Sequence, residues 1–159
     1  MKMAKITISR TLKYKNRVVE RMRKLEGDIR NGNSVIEGAV RDINVKATLE
    51  ERLALEAHLV ALKGLLDKAN EPIKGLIAKM QELKGRIKFL ESIPSIHGVQ
   101  DARRTMYGEQ GSVTYNAEIR KSDFDAMISA AREEIDTIQD NIDSYNGANH
   151  IQVNMVPLK

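Results

Sequence analysis

Residues 48–92, TLEERLALEAHLVALKGLLDKANEPIKGLIAKMQELKGRIKFLES, decide the fold. Within them Leu55, Leu59, Leu62, Leu66, Ala69, Ile73, Leu76, Met80, Leu83, Ile87 and Leu90 step by four and three, the spacing that aligns one helical stripe with a partner helix. Thr48-Leu49-Glu50-Glu51 has the form of a capping box at the start of this run. Pro72 removes one backbone hydrogen bond and disfavours helix in the residue before it, so a hairpin at Asn70 competes with a continuous, kinked helix from Leu49 to Ser92. The step from Ala69 to Ile73 keeps its register across the proline, which favours continuity.

Shorter stripes flank this run. Val18, Met22, Leu25 and Ile29 place an amphipathic helix between Ser9 or Thr11 and Arg30, stopped by Asn31-Gly32-Asn33. Phe124, Ile128, Ala131, Ile135, Ile138, Ile142 and Tyr145 place another after a cap at Ser122 or Asp123. Residues 34–47 sort into no clear pattern. The expected fold is mainly α: long heptad-patterned helices in an antiparallel coiled-coil-like bundle, with a small β-hairpin or sheet at one end, in a single domain spanning 1–159.

The β elements come from alternation. Arg103–Tyr107 and Ser112–Ile119 read as two strands joined at Gly108-Glu109-Gln110-Gly111, and Lys5–Ile8 and His150–Met155 alternate at the termini. A lone hairpin is marginal in water, so the terminal strands are expected to join it in one sheet.

Composition narrows the function. The chain has 159 residues, no cysteine and a formal charge of +4, so thiolate metal sites and a cysteine nucleophile are excluded. No stretch approaches the roughly 20 apolar residues of a membrane span, and a soluble, cytoplasmic protein with no membrane partner is expected. Residues 1–30 hold ten Lys or Arg against three acids, whereas residues 122–146 hold one Arg against seven acids. Pairing between these two helices, within a subunit or between subunits, is expected before binding of an external polyanion.

Catalytic signatures are missing. The histidines His58, His97 and His150 are scattered, no phosphate loop or dinucleotide fingerprint occurs, and Glu133, Glu134 and Asp136 read as a solvated helix face. No enzyme activity, metal or cofactor is expected. What remains is a polar cluster off the helices: Arg103, Arg104, Tyr107, Tyr115, Asn116, Arg120 and Lys121. Guanidinium forks hold phosphate, tyrosine faces stack on bases, and asparagine reads base edges, which together suit a nucleotide pocket. The alternative is a surface hairpin whose arginines pair with nearby acids.

The stretch Tyr115-Asn116-Ala117-Glu118-Ile119-Arg120, followed by a helix with Arg132-Glu133 and Ile138-Gln139, resembles the C-terminal pattern of septicolysin-like bacterial helical proteins. Leu65-Leu66-Asp67-Lys68-Ala69-Asn70 and Glu82-Leu83-Lys84-Gly85-Arg86-Ile87 are similar to that family's central helices. The chain lacks the family's terminal Asn-Trp and has Thr114 where the family has arginine. The resemblance implies a small oligomeric helical protein without established enzymatic activity, and it transfers no site residues. In organisation the chain is also similar to small phage proteins that sequester nucleotide immune signals.

These readings converge on a non-enzymatic homo-oligomer that sequesters a small anionic, nucleotide-like ligand, as a phage-encoded sponge of immune signals would. Two alternatives stand beside it: a structural coiled-coil protein without a small ligand, and a nucleic-acid binder using the basic first helix.

Overall fold

A computed structural model describes residues 2–101 and 112–158. In chain order the elements are β1 (Lys2–Thr7), α1 (Ile8–Gly32), α2 (Val45–Asn70), a 3-10 turn (Glu71–Ile73), α3 (Lys74–Ser92), β2 (Gly98–Asp101), β3 (Ser112–Tyr115), α4 (Lys121–Ala148) and β4 (His150–Met155). The protein is mainly α with small antiparallel strand pairs, as the sequence pattern requires.

The chain stays helical through Pro72. Asn70, Glu71 and Lys74 all keep right-handed helical dihedrals, and the Lys74 N–H donates to the Glu71 carbonyl. A 3-10 turn absorbs the N–H that proline lacks, so the run from Val45 to Ser92 spans 48 residues without opening into a loop. Its start lies earlier than Thr48. Asn44 is the cap, its Oδ1 accepting the Ala47 N–H at 3.1 Å, and the Thr48 hydroxyl donates back to the Asn44 carbonyl at 2.9 Å. Residues 34–44, which the sequence left open, form an irregular connection. Arg41 in that connection donates to the Gly32 and Asn33 carbonyls at 3.3 and 3.2 Å, capping the end of α1.

Two compact units make up the chain: residues 1–74 with 142–159, and residues 75–141. In the first, α1 and α2 run antiparallel, as the pairs Tyr14 with His58 and Arg21 with Glu51 require. Ile8, Tyr14, Val18, Met22 and Leu25 of α1 pack with Leu55, Leu62 and Leu66 of α2 and with Val153 of β4. Thr7 caps α1, its hydroxyl accepting the Arg10 N–H at 3.2 Å. The terminal strands pair with each other, Ile6 opposite Ile151 and Ala4 opposite Val153, which sends Ile151, Val153 and Met155 toward the core. They form a two-stranded sheet of their own, separate from the pair formed by the 98–115 strands.

In the second unit, β3 pairs with β2, Gly98 opposite Tyr115 and Asp101 opposite Ser112. The sequence had assigned the partner strand to 103–107, which lies outside the described residues. Strand β3 is also shorter than expected, ending at Tyr115 rather than Ile119. Leu83, Phe124, Ile128, Ala131 and Ile138 are buried here.

Within one chain, the described ion pairs join each of the two charged helices to its sequence neighbour. The ion pairs of α1 go to α2, with Arg21 on Glu51 at 2.8 Å and Arg52 on Glu26 at 3.0 Å, while those of the acidic α4 go to α3, joining Lys79 to Glu134 and Glu91 to Arg132. Helix α2 carries Glu51 at the level of Arg21 and Arg52 at the level of Glu26, so the C-terminal half of α1 meets its counter-charges in its neighbour.

Leu62, 1% exposed, sits at the centre of the first unit's core. Leu62→Ala is expected to cost about 2–5 kcal/mol of stability, measured by urea unfolding with an unchanged denaturant slope.

Candidate functional site

Of the seven residues singled out from the sequence, Arg103, Arg104 and Tyr107 lie outside the described residues. The other four are solvent-exposed, and among the described residues no hydrogen bond or ion pair joins any two of their side chains. Arg120 and Lys121, read from the sequence as lying off the helices, stand at the start of α4, Lys121 as its first residue. The Arg120 N–H donates to Asp123 Oδ2 at 3.1 Å and its carbonyl accepts the Asp123 N–H at 3.0 Å, so Arg120 is the residue before the first helical turn and Asp123 reaches back to it. The Ala117 N–H donates to His97 Nδ1 at 3.2 Å, fixing the chain just after β3.

A second basic cluster is formed by α1 in the first unit. Arg10, Lys13 and Arg17, at i, i+3 and i+7, project from one side of the helix. Together with Ile6, Tyr14 and Met155 they line an open cleft of about 190 Å³. All three cations are exposed, and none has an acidic partner among the described residues. That separates them from Arg21 on the same helix, which is committed to Glu51.

Tyr14 forms the floor. Its ring is 4% exposed, and its hydroxyl lies 3.0 Å from His58 Nε2 while accepting the Val156 N–H at 2.8 Å. The two rings meet edge to face, with centroids 5.8 Å apart. One phenol therefore ties α1 to α2 and to the chain after β4, and it fixes the rotation of α1 that presents Arg10, Lys13 and Arg17 to solvent. Because the ring is buried, its face is not available for stacking on a base.

The sequence had flagged the positive charge of residues 10–30 but not the cleft. The i, i+3, i+7 spacing was available as a signal; the closing wall, Met155, was not, since its place depends on the pairing of the two termini. Among the described residues no group of three His, Asp or Glu side chains is arranged to hold a metal ion, and no helix is long and apolar enough to cross a membrane.

No family model matches the chain, and neither the curated proteins nor the solved structures contain a significant match to it.

Burial holds the His58 imidazole below the ordinary histidine range, since the charged form loses water. A base that is harder to protonate in the fold than in the unfolded chain contributes stability above the unfolded value of 6.5, and this is lost as pH falls through the lower folded value. The melting temperature is expected to drop between pH 7.5 and pH 5, and to drop less in His58→Gln, followed by circular dichroism. Identical pH profiles for the two proteins would detach His58 from the acid response.

Proposed function

We propose that this protein is a non-enzymatic binding protein for a small phosphate-bearing ligand, and that Arg10, Lys13 and Arg17 grip the phosphates in the cleft on α1. The observation that carries the reading is a set of three cations, without acidic partners among the described residues, on one helical face around an open cleft. Cations held about 10 Å apart from first to last along the helix axis match a chain of linked phosphates better than a single one. The guanidinium groups of Arg10 and Arg17 can each hold two phosphate oxygens, with the Lys13 ammonium between them as a point charge.

With Tyr14 buried, discrimination comes from charge and phosphate spacing, so polyphosphate ligands of different base are bound alike. Among the described lining residues the one hydroxyl, that of Tyr14, is held by His58 and the Val156 N–H, which suits retention of the ligand rather than its conversion. A cytoplasmic setting supplies such ligands.

Thermal shifts across a panel of nucleoside triphosphates, cyclic dinucleotides and inorganic tripolyphosphate test this. Stabilisation by the linear polyphosphates is expected, with the ligand recovered chemically intact. Arg10→Ala with Arg17→Ala should weaken binding by about 10- to 150-fold for each charge-assisted hydrogen bond removed. Retained affinity in that variant, with loss in Arg104→Ala and Arg120→Ala, would place the site at 100–121 instead. A preference for single-stranded DNA over every small ligand, with affinity collapsing between 50 and 200 mM salt, would make the protein a nucleic-acid binder.

A further inference from the structure

Helix α2 is apolar on two sides. Leu55, Leu62 and Leu66 face the core, yet Leu49, Leu53, Ala57, Val60 and Gly64 form a second stripe at about 160° from the first, given about 100° of rotation per residue. This second stripe is uncovered: Leu49 is 43% exposed, Leu53 53% and Val60 66%. A helix that packs only within its own chain carries polar residues there.

Two further features bear on what covers it. A Cβ placed on Gly64 would meet nothing within 4 Å, so no contact inside the chain requires a glycine at this helical position, where alanine would be more favourable by about 1 kcal/mol. A glycine on an exposed apolar stripe does suit the close approach of another helix. The stripe also ends in opposite charges, Lys46 at one end and Asp67 at the other, both exposed and without an ion-pair partner among the described residues.

We infer that the outer face of α2 is the contact between two copies of this chain, packed antiparallel about a two-fold axis near Ala57. Setting Leu53 beside Val60 of the partner subunit fixes the other layers without adjustment. Leu49 then meets Gly64 of the partner subunit, large against small, and Lys46 meets Asp67 of the partner subunit. Each of these contacts occurs twice by symmetry, the self-complementarity that an isologous interface demands. A parallel pairing would instead set lysine on lysine and aspartate on aspartate. Small Ala57 lies where the two helices cross.

Sedimentation equilibrium of the full chain tests the assignment. The wild-type protein is expected to be dimeric at micromolar concentration, and Leu53→Glu or Val60→Glu to be monomeric with an unchanged helical circular-dichroism signal, since neither side chain is in the core. Charge exchange gives the orientation. Lys46→Glu and Asp67→Lys should each weaken the dimer about tenfold at low salt, and the two together should restore it to within about twofold, because the pair is re-formed with its signs swapped. A monomeric wild-type protein at 100 µM would overturn the inference. So would a dimer that survives Leu53→Glu, which would place self-association elsewhere, for example on the exposed Phe89, Ile96 and Val99 of the second unit.

Discussion

The hydroxyl of Tyr14 is the point on which the first unit depends. It joins α1, α2 and the chain after β4 through a single buried oxygen, 3.0 Å from His58 Nε2 and 2.8 Å from the Val156 nitrogen. A buried phenol without partners costs about 1–3 kcal/mol, so these contacts act as a constraint more than as a surplus of stability. The constraint is rotational. With Tyr14 turned inward, Arg10, Lys13 and Arg17, placed four residues before, one before and three after it, are turned to the cleft. The imidazole of His58 belongs to the same arrangement, its Nε2 lying at hydrogen-bond distance from the phenol oxygen.

Electrostatics divide α1 lengthwise. Toward its C-terminal half, arginines and acids interlock with α2 through Arg21 with Glu51 and Glu26 with Arg52, and Glu56 adds a further partner to Arg52. Paired with Glu26, and with Glu56 beside it, the Arg52 guanidinium is held more firmly protonated than usual despite the desolvation that opposes it. Toward the N-terminus the same helix leaves Arg10, Lys13 and Arg17 without counter-charges among the described residues. Exposed pairs contribute at most about 1 kcal/mol each, so they set the register of α1 on α2 rather than hold the two helices together; the buried leucines and valines do that.

Much of this was legible in residues rather than in totals. The four-and-three stripe from Leu55 to Leu90 identified the long helical run, and its unbroken register across Pro72 anticipated continuity, because a loop has no reason to preserve helical phase. The final helix was equally clear from Phe124 to Tyr145. Caps were placed less well: Thr48 had the capping-box spacing, but Asn44 lies one turn earlier and takes the role, and nothing local decides between two competent caps. The pairing of β1 with β4 joins residues at opposite ends of the chain, so alternation could reveal each strand and not its partner. The same long-range pairing closes the cleft, so the basic charge of residues 10–30 was visible while the site it forms was not. The second stripe on α2 was obscured for the opposite reason: with apolar residues on both sides, the inward stripe alone was enough to call the helix, and Leu49, Leu53 and Val60 passed as incidental.

The most direct measurement of the central claim is a titration of the protein with inorganic tripolyphosphate, followed at the arginine Nε–Hε resonances by 15N NMR. Saturable shifts at Arg10 and Arg17, with Arg120 and Arg132 unmoved, are the predicted result. Shifts confined to Arg103, Arg104 and Arg120, or none that saturates at Arg10 and Arg17, would contradict it.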